Sequence, residues 1–160
     1  IVGATTVYGS LQNFLTGNTF SVKPLDSLSA LNTVDAKRFN QAIPSAGLAQ
    51  TCLGAGAASE TRQGHVHRLY SWSGNGNLTN PLDPVDYAMA GTGAIISSKG
   101  AGANDGLVSV CSAKFGQELG VYAWNHVDEI NQVLGLRGLF SADPVVTIRT
   151  HANRLKLAGL

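Results

Sequence analysis

The sequence predicts an α/β chain, and three observations carry that class. Short apolar runs, His67 to Ser73, Gly93 to Ser97 and Leu107 to Val110, read as strands set among stretches of helical period. Hydrophobic residues make up 44% of the 160, enough for the core of one ordinary domain. The strands are too few to complete a three-layer sheet by themselves, so a large piece of the domain is expected on another segment.

Residues 1–22 carry no charged side chain. Ala4, Tyr8, Leu11 and Leu15, with Val7 and Phe14 beside them, recur at helical spacing. A helix over 7–16 is therefore expected, either packed into a core or serving as a mobile amphipathic flap. Asp26 can cap a short helix, and another starts at Thr33 with Asp35 in its first turn. Pro44 to Gly64 is a Gly/Ala/Ser-rich loop that carries Cys52, and Asn75 to Pro84 is turn chemistry. Val127 to Leu134 reads as a helix stopped by Gly135. Asp143 and Pro144 open the last helix as cap and first residue, with Val145, Ile148, Ala152 and Leu155 expected to face inward.

Charged residues are only 13% of the chain, where about 25% is usual. The net charge is +1 and no basic run interleaves with aromatics, so nucleic acid is not an expected partner. No apolar run reaches the ~18 residues of a transmembrane span. The first residues lack the features of a signal peptide, so the chain is expected to be a mature fragment or to have a leader upstream. A surface built on Ser, Thr, Asn, Gln and Gly suits an extracellular protein. In that setting Cys52 and Cys111 read as a disulfide worth roughly 4 kcal/mol on the chain-entropy model. In a reducing compartment they would be two buried thiols.

Asp105 lies between Asn104 and Gly106, and could be only a turn residue. His126, after Trp124 and Asn125 and before Asp128 and Glu129, sits in a polar context unlike a core position. A carboxylate that accepts the Nδ1 proton of a histidine fixes its tautomer and stabilises the imidazolium formed during proton transfer. Acid before histidine is the chain order of α/β-hydrolases, in which the serine precedes both on a G-x-S-x-G elbow. No such elbow occurs here, so the pair has nothing in this chain to activate.

Asp83 and Asp128 form a second constellation. Singly they are a turn former and a helix N-terminal carboxylate; together they could give oxygens to Ca²⁺, which takes six to eight. A cation on Asp128 would clamp the loop holding His126. His65 and His67 share one strand face but lack a third metal ligand, and His151 is expected at the surface beside Arg149 and Arg154. The Ile-Val-Gly start is similar to that of activated trypsin-like proteases, but no Gly-Asp-Ser-Gly-Gly segment follows, which excludes that class.

At these residues the chain closely resembles the C-terminal half of secreted bacterial triacylglycerol lipases of the Pseudomonas and Burkholderia type, which depend on a dedicated foldase. The matching segments are DSLSALN (26–32), LYSWSG (69–74), LDP (82–84), ANDGLV (103–108), NHVDEINQ (125–132) and HANRLK (151–156). The likeness runs over essentially the whole chain.

The resemblance implies an α/β-hydrolase fold of which residues 1–160 are the C-terminal part: lid helix, late strands and C-terminal helices. Residues 1–20 would be most of the lid that uncovers the site at an oil–water interface. Asp105 would be the triad acid and His126 the general base. Asp83, Asp128 and the backbone carbonyls of Gln132 and Leu136 would hold Ca²⁺, and Cys52 and Cys111 would be the family's single disulfide.

The family's serine and oxyanion-hole amides belong to an N-terminal half, without which no ester hydrolysis is expected. The chain is expected to be a product of cleavage before or within the lid, held to that half non-covalently, or else a truncated form. The implied activity is extracellular hydrolysis of long-chain triacylglycerols. The alternatives are a short-chain carboxylesterase of the same fold and a non-catalytic calcium- or lipid-surface-binding module.

Overall fold

A computed structural model describes residues 33–160. The lid, the helix over 7–16 and the Asp26-capped helix lie outside the described residues. The chain divides into two compact units, residues 1–46 and 47–160. Of the first, helix α1 (Thr33–Ala42) is described, and it starts where the sequence places it. Asp35, in its first turn, meets Arg38 at 3.1 Å.

The second unit opens with a hairpin, β1 (Ser59–Arg62) against β2 (His65–Arg68), antiparallel with Arg62 opposite His65. Gln63 (φ 50°) and Gly64 (φ 83°) are both left-handed, the backbone a two-residue hairpin turn needs. The loop expected from Pro44 to Gly64 therefore ends in a strand, and the strand expected from His67 to Ser73 is two strands. Buried Leu69 joins them: its N–H donates to Ala58 O and its carbonyl accepts from Gln117 N, each at 2.9 Å.

Strand β3 (Tyr70–Gly74) pairs in parallel with β4 (Gln117–Tyr122), with a register irregularity between Ser71 and Ser73. Parallel strands need a crossover. It consists of helix α2 (Pro84–Ser98), the 99–109 loop and the short helix α3 (Val110–Ala113). The chain is thus mixed α/β, with two small two-stranded sheets among the described residues.

Two expected strands take other forms. Gly93–Ser97 lies within α2, because Asp83 caps that helix, Pro84 starts it, and Val85, Met89 and Gly93 recur on its buried face. Leu107 and Val108 belong to a turn, and Val110 opens α3 after its Ser109 cap. The expected Val127–Leu134 helix is instead two 3₁₀ turns, Asp128–Ile130 and Val133–Gly135. Left-handed Asn131, Val133 and Leu134 break it.

Helix α4 (Pro144–Leu157) begins as predicted, with Asp143 Oδ1 accepting from Val145 N at 2.8 Å. Its inner face is rotated from the expected one: Ile148 and Ala152 are exposed, while Thr147, His151, Arg154 and Leu155 are half-buried. His151 packs edge-on against Tyr70 and Trp72 of β3, at 5.0 and 5.4 Å between ring centroids, so it is a packing residue rather than a surface one. Arg154 Nη1 donates to its Nδ1 at 3.1 Å.

The core gathers Leu69, Val85, Met89, Trp124 and Val127. Trp124 is fully buried, stacks on Tyr122 at 4.1 Å and donates from Nε1 to Ala142 O at 2.7 Å. The Cys52–Cys111 disulfide joins the loop before β1 to α3, closing 59 residues of separation. Reducing it is expected to lower unfolding stability by about 4 kcal/mol, since the closed loop restricts the unfolded chain. Urea denaturation with and without reductant checks this; coincident midpoints would remove the bond's stabilising role.

Candidate active site

Two loops meet beyond the carboxyl ends of β3 and β4, where open α/β sheets bind their ligands. The first carries Asp105. Its Oδ1 accepts from the backbone N–H of Leu107 (2.8 Å) and Val108 (2.6 Å), and its own N–H donates to Val108 O. Gly106, at φ 99°, makes this turn possible; a Cβ there would stand 2.7 Å from Met89 Cβ. Asn104 fastens the turn to α2, donating from Nδ2 to Gly93 O and Ser97 Oγ, while its Oδ1 accepts from Gly106 N.

The second loop leaves β4 and brings in His126. Its backbone N–H donates to Asp105 O at 2.9 Å, and its Nδ1 lies 2.8 Å from Asp105 Oδ2. The Asp105 side chain is 4% exposed and that of His126 38%, so a buried acid holds a ring whose other nitrogen, Nε2, remains available. The hydrogen bond to Asp105 raises the His126 pKa against the opposing effect of burial. Burial alone would raise Asp105, but His126 and the two backbone donors outweigh it and hold the carboxyl below its ordinary value.

Glu129 completes the group, a residue that sequence reasoning did not single out. Its Oε1 accepts from Gly74 N at 2.7 Å, at the end of β3. Burial, with the Asp105 charge beside it, pushes its carboxyl up to about 7. The available signal was its place three residues after His126 in the same turn. Gly74 cannot carry a side chain here, since a Cβ would lie 2.4 Å from Trp124 O and 2.9 Å from Glu129 Oε1.

Asp83 and Asp128 come together with a third carboxylate, Asp86, all three essentially without solvent exposure. Asp83 Oδ1 caps α2 through Val85 N, and Asp128 Oδ2 accepts from Asn125 N (3.1 Å) and Thr79 Oγ1 (3.0 Å). The other oxygen of each, Asp83 Oδ2 and Asp128 Oδ1, is buried with no hydrogen-bond partner. Burial first, then the neighbouring carboxylate charge, raises both pKa values.

Unpartnered buried oxygens are costly, and a hard cation that prefers oxygen ligands would satisfy both. Gln132 and Leu136 lie in the segment after Asp128, where the Gln132 carbonyl accepts from Gly135 N at 3.3 Å. Asn80 Nδ2 ties that segment to the 79–80 turn through Arg137 O at 2.9 Å. His65 and His67 are exposed on β2, apart from either cluster.

The fold and site define an α/β chain that presents a buried carboxylate and a paired histidine at its strand ends. It is 43% identical to proteins named triacylglycerol lipase from Pseudarthrobacter phenanthrenivorans and Burkholderia plantarii, in alignments covering 85% of this chain and 50% and 44% of those proteins. A triacylglycerol lipase of Vibrio cholerae serotype O1 is also 43% identical, over 99% of this chain and 49% of its own length. No protein-family model matches the chain. By sequence the chain belongs with these bacterial triacylglycerol lipases, and it spans about half the length of the curated relatives it matches.

Proposed function

We propose that this chain supplies the acid and the base of a serine lipase of α/β-hydrolase fold, as its C-terminal half. The observation that carries the reading is the 2.8 Å pairing of Asp105 Oδ2 with His126 Nδ1, in a chain 43% identical to named lipases. With Nδ1 held by Asp105, Nε2 of His126 is the nitrogen that takes the proton of an attacking serine and returns it to the leaving alcohol. Asp105 remains ionised and keeps the imidazolium in place. No G-x-S-x-G segment occurs in the 160 residues, so the serine and the oxyanion donors are assigned to an N-terminal half. Residues 1–20 are assigned to the lid.

In this reading Asp83 and Asp128 hold Ca²⁺ with the Gln132 and Leu136 carbonyls, and the ion acts as a structural clamp rather than in a chemical step. The low charge fraction and the Cys52–Cys111 bond suit a secreted protein, matured with a dedicated foldase.

The test uses the complete protein, carrying both halves, on one ester series measured below and above its solubility limit. A lipase gains rate when the ester forms a separate phase, because the lid opens there. A flat rate across that limit supports the short-chain carboxylesterase instead. Absence of hydrolysis on either side supports the non-catalytic calcium- or lipid-binding module.

A further inference from the structure

The three buried aspartates of the carboxylate cluster are not equivalent. Asp83 and Asp128 each leave an oxygen without a partner, whereas both oxygens of Asp86 are taken. Asp86 Oδ2 accepts from the backbone N–H groups of Thr79, at 2.7 Å, and Asn80. Its Oδ1 accepts from Asn125 Nδ2 at 2.6 Å. Asn125, also fully buried, then uses its own Oδ1 to accept from the N–H of Val127 (2.8 Å) and of Asp128 (2.9 Å). The backbone that follows His126 is therefore fixed by the side-chain amide of the residue before it, and that amide is gripped by Asp86 on α2.

We propose that Asp86 is a positioning residue for His126: acting through Asn125, it sets the direction in which the imidazole leaves the backbone and so its alignment with Asp105. The proposal deepens the hydrolase reading and rests on Asp105–His126 being the working pair. Asp86 touches no reacting atom, and neither of its oxygens is left without a hydrogen-bond partner. Its polarity relation to Asn125 is specific: a carboxylate oxygen faces an amide NH₂, and the amide oxygen faces two N–H donors. Exchanging the two residue types keeps the shape and reverses the donor and acceptor of the central bond.

The experiment compares Asp86→Asn, Asn125→Asp and the double exchange in the complete protein. Each single change opposes like groups, donor against donor or carboxylate against carboxylate. A misplaced histidine is expected to lower kcat about 100-fold with KM unchanged. The far-downfield proton signal of the His126 Nδ1–H bonded to Asp105 should broaden or vanish, and the double exchange should restore both signal and kcat.

Single variants that fold with kcat and the Nδ1 signal intact would overturn the proposal, even if they melt earlier. If a single variant does not fold, the double exchange decides: a folded protein still lacking the signal overturns it equally. A wild-type protein that shows the signal but hydrolyses no ester would defeat the hydrolase reading, while the signal series still tests the role of Asp86.

Discussion

Replacing His126 by alanine in the complete protein is expected to lower kcat for ester hydrolysis by a factor of about a million and to leave KM nearly unchanged. The size follows from the role. On the proposed triad, a serine deprived of the imidazole would have no base and the leaving alcohol no acid, while substrate binding would be undisturbed. Asp105→Asn should cost less, about 10⁴-fold. An asparagine oxygen can still accept from the N–H groups of Leu107 and Val108, so the turn should survive. Its amide cannot accept the Nδ1 proton, and the ring loses its tautomer. Burst kinetics with a chromogenic ester measure both variants. Hydrolysis retained by His126→Ala within tenfold of wild type would remove the histidine, and with it the triad reading.

Some of this was legible in the residues because it is local. An aspartate followed by proline specified the start of α4, and the same pair at 83–84 specifies that of α2. The glycine after Asp105 marks a turn that only a residue tolerant of φ 99° can close. What was not legible depends on partners distant in sequence. Strand β4 (Gln117–Tyr122) contains Gln, Glu and Gly and has only Leu119 and Val121 in apolar alternation, too short a pattern to mark it; it is a strand because β3 pairs with it. The Gly93–Ser97 run has the β-branched content of a strand, but a helix already capped ten residues earlier carries through it. Glu129 acquires its role from Gly74, 55 residues away, and Asp86 from Asn125, 39 residues away. Likewise the face of α4 turned inward is set by the rings of Tyr70 and Trp72, which receive His151 in place of Ile148.

Chelation of Ca²⁺ is expected to lower both the melting temperature and the activity of the complete protein, and Asp128→Asn is expected to mimic it. The unpartnered oxygens of Asp83 and Asp128 supply the reason. Leaving a buried polar group bare costs about 1–3 kcal/mol, more when it is charged, so two of them amount to roughly 2–6 kcal/mol. At about 2–4 °C per kcal/mol for a domain of 150–250 residues, that is a shift easily read by calorimetry. The loss should reach the chemistry as well, because Asp128 Oδ2 holds the N–H of Asn125, immediately before His126. The variant also separates a cation clamp from a plain hydrogen-bond role. With calcium present, Asp128→Asn should melt below wild type, since a ligand charge is gone. With chelator present, the order should narrow or reverse, because the variant no longer buries an uncompensated carboxylate beside Asp83 and Asp86. A wild-type melting curve that ignores the chelator would strike Asp83 and Asp128 from the ligand set, and the two bare oxygens would then have to be satisfied by ordered water.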